Sequence, residues 1–305
     1  MKEPNRSISL VVTDLDNTLW DWVHIWHSTF NAMLTKVSEI SGTPIKQLER
    51  EFRTVHQRHG TSEYAFSLQE LPSILGSCPV AEIKTRYAPA IKAFRDARAA
   101  TLKLYPGVMD TLRTLKNQGC LLVGYTESLA FYSLYRMRQL DVDLMLDYIY
   151  SPPDADLPAN MTPEQREQLE RYPKENYVPR VSVHRHTPKG AVKPNPDILR
   201  KIIDEVGGSI DTTAYIGDNE LKDIAMAQDV GVADVWAKYG TGQHHPGYAL
   251  LRRVTHWPDK TVADERAVVE QRDVRPPTAT YILRHGFDQL LPLFEWMSSK
   301  RSFLA

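Results

Sequence analysis

The sequence predicts an α/β fold: a doubly wound parallel sheet interrupted by an all-helical insertion. Three observations lead there. Short, continuous apolar runs alternate along the chain with segments of helical period. Those runs lack polar–apolar alternation, as strands covered on both faces require. Between residues 21 and 104 the strand signal disappears while helical periodicity continues.

Residues 8–13 read as the first buried strand. From Trp22 the period changes: Trp22, Trp26, Phe30, Met33, Val37 and Ile40 mark one face of a long helix that stops at Gly42. Thr43 as N-cap and Pro44 at the first helical position then restart a helix. Its apolar face is Ile45, Leu48, Phe52 and Val55, and Gly60 ends it. A third helical stretch covers about residues 80–101, kinked at Pro89. "LYPGV" (104–108) turns the chain back into strand–helix alternation, with a helix from Val108 to Asn117 that closes at Gly119. "CLLVGYTES" supplies a strand, "LAFYSLYRMRQL" a helix and "DYIYS" a short strand.

Residues 152–190, rich in proline and charge and without a period, read as a long loop or a second small insertion. "NPDILRKIIDEVGG" is a capped helix with Asn195 as N-cap, Pro196 at N1 and Gly207 beyond its end. "TAYIGDNE" runs from strand into loop, "LKDIAMAQDVG" is a helix and "VADVW" a strand. Residues 240–278 read as irregular, and "TYILRH" with "FDQLLPLFEW" as a final strand and helix. The expected organisation is a core of residues 1–20 and 105–305, with irregular insertions near 152–190 and 241–278, and a helical domain at 21–104.

Composition narrows the function. The chain has 305 residues, 42% of them apolar, and a net charge of −1, which gives no long-range attraction to nucleic acid or anionic membrane. No apolar run approaches the roughly 20 residues that span a bilayer. The N-terminus does not resemble a secretory signal. Cys78 and Cys120 stand far apart in unrelated contexts, so neither a bridge nor a metal site is expected. The expectation is a cytoplasmic protein with no nucleic-acid or membrane partner; the sequence specifies no oligomeric state.

In parallel sheets, ligands bind beyond the carboxyl ends of the strands. Asp14 and Asp16 follow the first strand, Thr126 the second, and Asp218 and Asp223 follow "AYIG", while Lys193 precedes the helix at Pro196. Two-residue periodicity turns Asp14 and Asp16 to one side of the extended chain. On a single helix Asp218 and Asp223 would diverge by about 140°. They converge only if Asp218 stands in the loop after Gly217 and Asp223 in the helix's first turn. A like-charge pair 4 Å apart costs about 4 kcal/mol at an effective dielectric near 20, so crowded carboxylates call for cations. Lys193 supplies one, with Lys189 as a rival four residues earlier. A divalent ion suited to oxygen ligands is the natural remainder.

"DLDNT", "VGYT", "KPNP" and "GDNELKD", in this order and each at an element's end, resemble the four motifs of the haloacid dehalogenase-like hydrolase superfamily. The helical segment between the first two resembles that superfamily's cap. The likeness covers 8–20, 104–150, 190–240 and the final strand and helix, leaving 152–190 and 241–278 outside it.

The resemblance implies that Asp14 is the nucleophile, forming an aspartyl-phosphate. It implies that Asp16 is general acid, then general base, contributing roughly 10²–10⁴-fold. Thr126 would hold phosphoryl oxygens and Lys193 would neutralise charge. Mg²⁺ would bind Asp14, the Asp16 carbonyl and Asp218, with Asp223 in support. Asn17 departs from the glycine common in the first motif.

The function expected is thus a Mg²⁺-dependent phosphatase acting on a small phosphorylated metabolite. A phosphotransferase or phosphomutase would share every residue named and differ in excluding water from the intermediate. A binding or regulatory protein on the same scaffold would be favoured by a missing motif residue, and none is missing. A dehalogenase would lack the aspartate that Asp16 provides, and a kinase or ATPase is disfavoured because no G-x-x-x-x-G-K-[ST] occurs.

Bland readings stand beside these. Thr126 also fits a strand end, and Asp218 and Asp223 fit the cap and dipole of the helix that follows. Glu127 is either a substrate-hydroxyl acceptor or an early helix acid. Trp20, Trp22 and Trp26 read as core packing, with His24 and His27 the better candidates for the pocket. His184 and His186 read as solvated, and the arginines of 84–98 as a wet helix face.

Overall fold

The chain enters through β1 (Ser7–Ile8) and β2 (Leu10–Thr13); the computed structural model describes residues 6–260, 262–263 and 277–299. Every residue of β2 is buried. Its side chains alternate between two cores, with Leu10 and Val12 in one cluster and Val11 in the other, as a strand covered on both faces must place them. The remaining strands are β3 (Leu121–Tyr125), β4 (Tyr148–Ser151), β5 (Val183–His186), β6 (Thr213–Gly217), β7 (Ala233–Ala237), β8 (Tyr281–Leu283) and β9 (Glu295–Trp296). Of the nine strands among the described residues, β2 to β8 form one sheet in the order β5-β4-β3-β2-β6-β7-β8, parallel throughout, and β1 pairs with β9. Strand order reverses around β2, where a doubly wound sheet opens a crevice at its carboxyl edge.

The helices are α1 (Trp22–Ser41), α2 (Ile45–His59), α3 (Pro72–Leu75), α4 (Val80–Arg86), α5 (Ala88–Thr101), α6 (Val108–Asn117), α7 (Ala130–Gln139), α8 (Pro163–Glu170), α9 (Pro196–Glu205), α10 (Ala225–Val230) and α11 (Tyr248–Val254). The Asp21 carboxylate accepts from the His24 N–H at 2.9 Å and so starts α1. Gly42, at φ 71°, ends it in the left-handed conformation that glycine adopts freely. Residues from α1 to α5 share their own core with α11. Trp26 stacks on Phe30 at 4.8 Å, Phe30 meets Phe52 edge-on at 4.9 Å, and Leu250, Leu251 and Val254 close the cluster. Among the described residues no helix is long and apolar enough to cross a membrane.

Several local expectations are corrected. Pro44, not Thr43, is the N-cap residue of α2, so the helix begins at Ile45. The stretch 80–101 is broken, not kinked: α4 ends at Tyr87 and α5 takes Pro89 into its first turn, where a missing N–H costs nothing. Residues 152–190 contain α8, capped reciprocally by Thr162 and Gln165, and the edge strand β5. His184 is therefore a strand residue bonded to the Ser151 hydroxyl at 2.9 Å, not a solvated one. The stretch 241–278 carries α11, and its residues 264–276 lie outside the described residues. "FDQLLPLFEW" forms a 3₁₀ turn over Phe287–Leu293, with Pro292 inside, and then β9 instead of an α-helix.

Candidate active site

Asp14 follows β2, Thr126 follows β3 and Asp218 follows β6, so three neighbouring strands deliver them to one sheet edge. Two glycines permit the closeness. A Cβ on Gly217 would fall 2.3 Å from the Asp223 carboxyl carbon, so only a bare strand end lets that carboxylate fold back. A Cβ on Gly240 would lie 1.6 Å from the Asn17 carbonyl oxygen, so the loop after β7 can press against the loop after β2. Asn17 itself sits at φ 59°, a conformation asparagine tolerates better than most residues.

The structure brings Asp14, Asp218 and Asp223 together, each with one carboxylate oxygen within 4.8 Å of the others. The Lys193 ammonium, 4% exposed as a residue, donates to Asp14 Oδ1 at 2.6 Å and Asp223 Oδ1 at 3.0 Å. Lys189 is instead an exposed partner of Asp156 and takes no part in this cluster. Asp223 is filled by the chain: Tyr215 O–H also donates to its Oδ1 at 2.8 Å, and Asn219 N–H to its Oδ2 at 3.1 Å. Asp223 lies in a π-turn, Glu220–Ile224, that leads into α10, and Asn219, not Asp218, is the N-cap. Trp236 Nε1 donates to the Asp218 carbonyl at 2.9 Å, and among the described residues no hydrogen bond reaches the Asp218 carboxylate itself.

One ammonium is too little charge for three carboxylates. Burial, followed by the neighbouring carboxylates, pushes Asp14 up to about 7 although Lys193 opposes it. The same causes hold Asp218 well above the usual carboxylate range. Burial opposes the charge on Lys193, but Asp14 and Asp223 keep it firmly protonated. Three hard oxygen donors with a charge deficit fit a divalent cation, with Asp14 and Asp218 as the carboxylates left open to it.

Thr126 is buried, and its hydroxyl oxygen accepts from Ser128 N–H at 3.1 Å, leaving its own proton to donate. Its backbone N–H serves the ladder, bonded to the Tyr150 carbonyl at 3.0 Å, and the Glu127 N–H follows it at the strand's end. Glu127 Oε1 accepts from Lys193 N–H at 2.8 Å and Oε2 pairs with Lys222 at 2.9 Å. Burial opposes its ionisation, yet Lys222 and Lys193 hold it below the usual range. Glu127 thus fixes the backbone that presents Lys193.

The Asp16 carboxylate stands outside the triad. It accepts from Trp20 Nε1 at 2.6 Å, from the Ser128 hydroxyl and from Arg136 Nη1 at 3.3 Å. Arg136 and its second partner, Glu63, are site residues that the sequence reading missed. The available signal was a charge inside the buried stripe of α7, beside Ala130, Ser133, Leu134 and Met137. Nothing local marks Glu63.

These groups open onto a cleft of about 690 Å³ whose walls include Trp22, Leu129, Lys222, Tyr248 and Trp257. His24 and His27 are not among its lining. Their rings face His245 at 5.5 and 5.9 Å, so of the aromatic run after the first motif it is Trp22 that reaches the pocket.

A family description, haloacid dehalogenase-like hydrolase, matches residues 158–237. The chain is 25% identical over 239 residues to a glyceraldehyde 3-phosphate phosphatase of Methanopyrus kandleri, covering 77% of this chain and 86% of that one. In three dimensions it resembles a Thermotoga maritima protein proposed to be a β-phosphoglucomutase, with TM-score 0.51, 16% identity and coverage of 94% and 98% of the two chains. That last likeness concerns the fold.

Proposed function

We propose that the chain is a haloacid dehalogenase-like hydrolase and, within that family, a Mg²⁺-dependent phosphatase of a small phosphorylated metabolite. The observation that carries this reading is Asp14, held by a buried lysine on Oδ1 and lining the cleft. In the proposed first step an Asp14 oxygen bonds to phosphorus while the ester P–O bond breaks. The departing oxygen takes the Asp16 proton. In the second, water attacks the aspartyl-phosphate, gives a proton to Asp16 and frees inorganic phosphate and Asp14. The Thr126 hydroxyl and Glu127 N–H donate to phosphoryl oxygens, and Lys193 offsets the charge that nucleophile and phosphate bring together. A divalent cation between Asp14 and Asp218 would supply the remaining positive charge.

Phosphate release from sugar phosphates, nucleotides, phosphoglycolate-like acids and phosphoproteins, measured with Mg²⁺ and with Asp14→Asn as control, tests the reading. Turnover by the wild type and none by the variant is expected. Transfer to a second metabolite without free phosphate would instead indicate a phosphotransferase, and substantial turnover by Asp14→Asn would remove Asp14 from its role.

A further inference from the structure

Arg136 is 3% exposed and spans two carboxylates with one planar guanidinium: Nη1 lies 3.3 Å from Asp16, and Nη2 bonds Glu63. Each carboxylate is also held by an indole. Trp20 Nε1 donates to Asp16 at 2.6 Å and Trp22 Nε1 donates to Glu63 at 3.1 Å. The Arg136 guanidinium lies over the Tyr132 ring, 5.8 Å from its centroid. The bridge joins three distant parts of the chain: the loop after β2, α7, and the segment after α2 that carries Glu63. A buried arginine costs desolvation that only good geometry on both sides repays, so a solitary structural pair is a poor reason to keep one here. What the bridge does fix is the carboxylate plane of Asp16, because a guanidinium bonds in fixed directions that a lysine cannot copy.

Resting on the reading of Asp16 as proton donor to the leaving oxygen, we infer that Arg136 and Glu63 are positioning residues for that donor. Arg136 orients the Asp16 carboxyl towards the cleft, and Glu63 orients Arg136. Because Glu63 comes from the segment between helices α2 and α3, the donor is aimed only when that segment sits against the sheet edge. Neither residue has a part at the phosphoryl group in the proposed steps, so binding and nucleophilic attack are spared while proton delivery suffers.

Leaving-group dependence separates this from a merely structural part. An alkyl alkoxide needs a proton to depart, whereas p-nitrophenolate leaves well without one. Arg136→Lys and Glu63→Gln are compared with wild type on p-nitrophenyl phosphate and on the best alkyl phosphomonoester of the substrate panel, with melting temperature as a control. The inference predicts that kcat/KM on the alkyl ester falls roughly tenfold or more beyond any fall on the aryl ester, with the difference in kcat and not in KM. Equal losses on both esters, or none, overturn it while leaving the phosphatase reading intact. A wild type inert on every ester would overturn that reading and this inference with it. Should Arg136→Lys fail to fold, Glu63→Gln carries the test, since it keeps the shape and the Trp22 contact.

Discussion

Replacing Lys193 with methionine keeps the length of the side chain and removes its charge from the centre of the carboxylate cluster. Lys193 lies 2.6 Å from Asp14 and 3.0 Å from Asp223, attractions of about 6 and about 5.5 kcal/mol at an effective dielectric near 20. Desolvating the ions offsets much of that sum. Removing one partner of a buried pair leaves a net loss of about 3–5 kcal/mol. At about 2.1 cal/mol/K per residue, the 305-residue chain unfolds with an entropy near 0.64 kcal/mol/K, so Tm falls by about 5–8 °C. The assay is thermal unfolding of Lys193→Met and wild type in a chelator, repeated with Mg²⁺, where the gap narrows because a dication takes over part of the compensation. Phosphate release falls in both conditions. A Tm within about 1 °C of wild type in chelator would refute the reasoning, because these carboxylates would then not depend on the ammonium.

Wild-type protein should itself gain stability from Mg²⁺: at a free concentration one hundred times the Kd the gain is about 2.7 kcal/mol, or about 4 °C in Tm. A cation-insensitive Tm would contradict the proposed ligand set. His56 gives a pH prediction away from the site. It is 1% exposed, its Nδ1 donates to the Val254 carbonyl at 2.7 Å, and burial pushes it down to about 4. The unfolded chain binds this proton near pH 6.5 and the folded chain only near 4, so stability falls by up to about 3 kcal/mol as pH drops through that window. Asp14, raised in the folded state, acts with the opposite sign below pH 7. The His56 part is therefore read as the difference in slope between wild type and His56→Gln from urea unfolding at several pH values, and identical slopes would exclude it.

Much of the site was legible because it is set by strand ends. Asp14, Thr126 and Asp218 each stand just after an apolar run, and in a parallel sheet such positions share an edge whatever the intervening chain does. Gly217 was legible as the strand's end, while the room it leaves for Asp223 emerged only in the fold. Elements that depend on tertiary partners were not legible. β5 reads "VHRH" because an edge strand is half solvated and loses the apolar run that marked the others. α11 has seven residues, too few for a period to register, and owes its place to the core of α1 and α2. Phe287–Leu293 has a helical pattern but contains Pro292, and the chain takes up a tighter turn. Glu63 and Arg136 are 73 residues apart and meet only through the fold. His24 and His27 stood out as polar residues beside the first motif, yet the direction of α1 turns them to His245.

Rapid acid quench with a phosphorus-labelled monoester tests the covalent role of Asp14 most directly. The wild type should carry protein-bound label during turnover, released by hydroxylamine as an acyl phosphate is, and Asp14→Asn should carry none while melting within a few degrees of wild type. Label retained on Asp14→Asn, or free phosphate formed with no labelled protein at any quench time, would contradict the account.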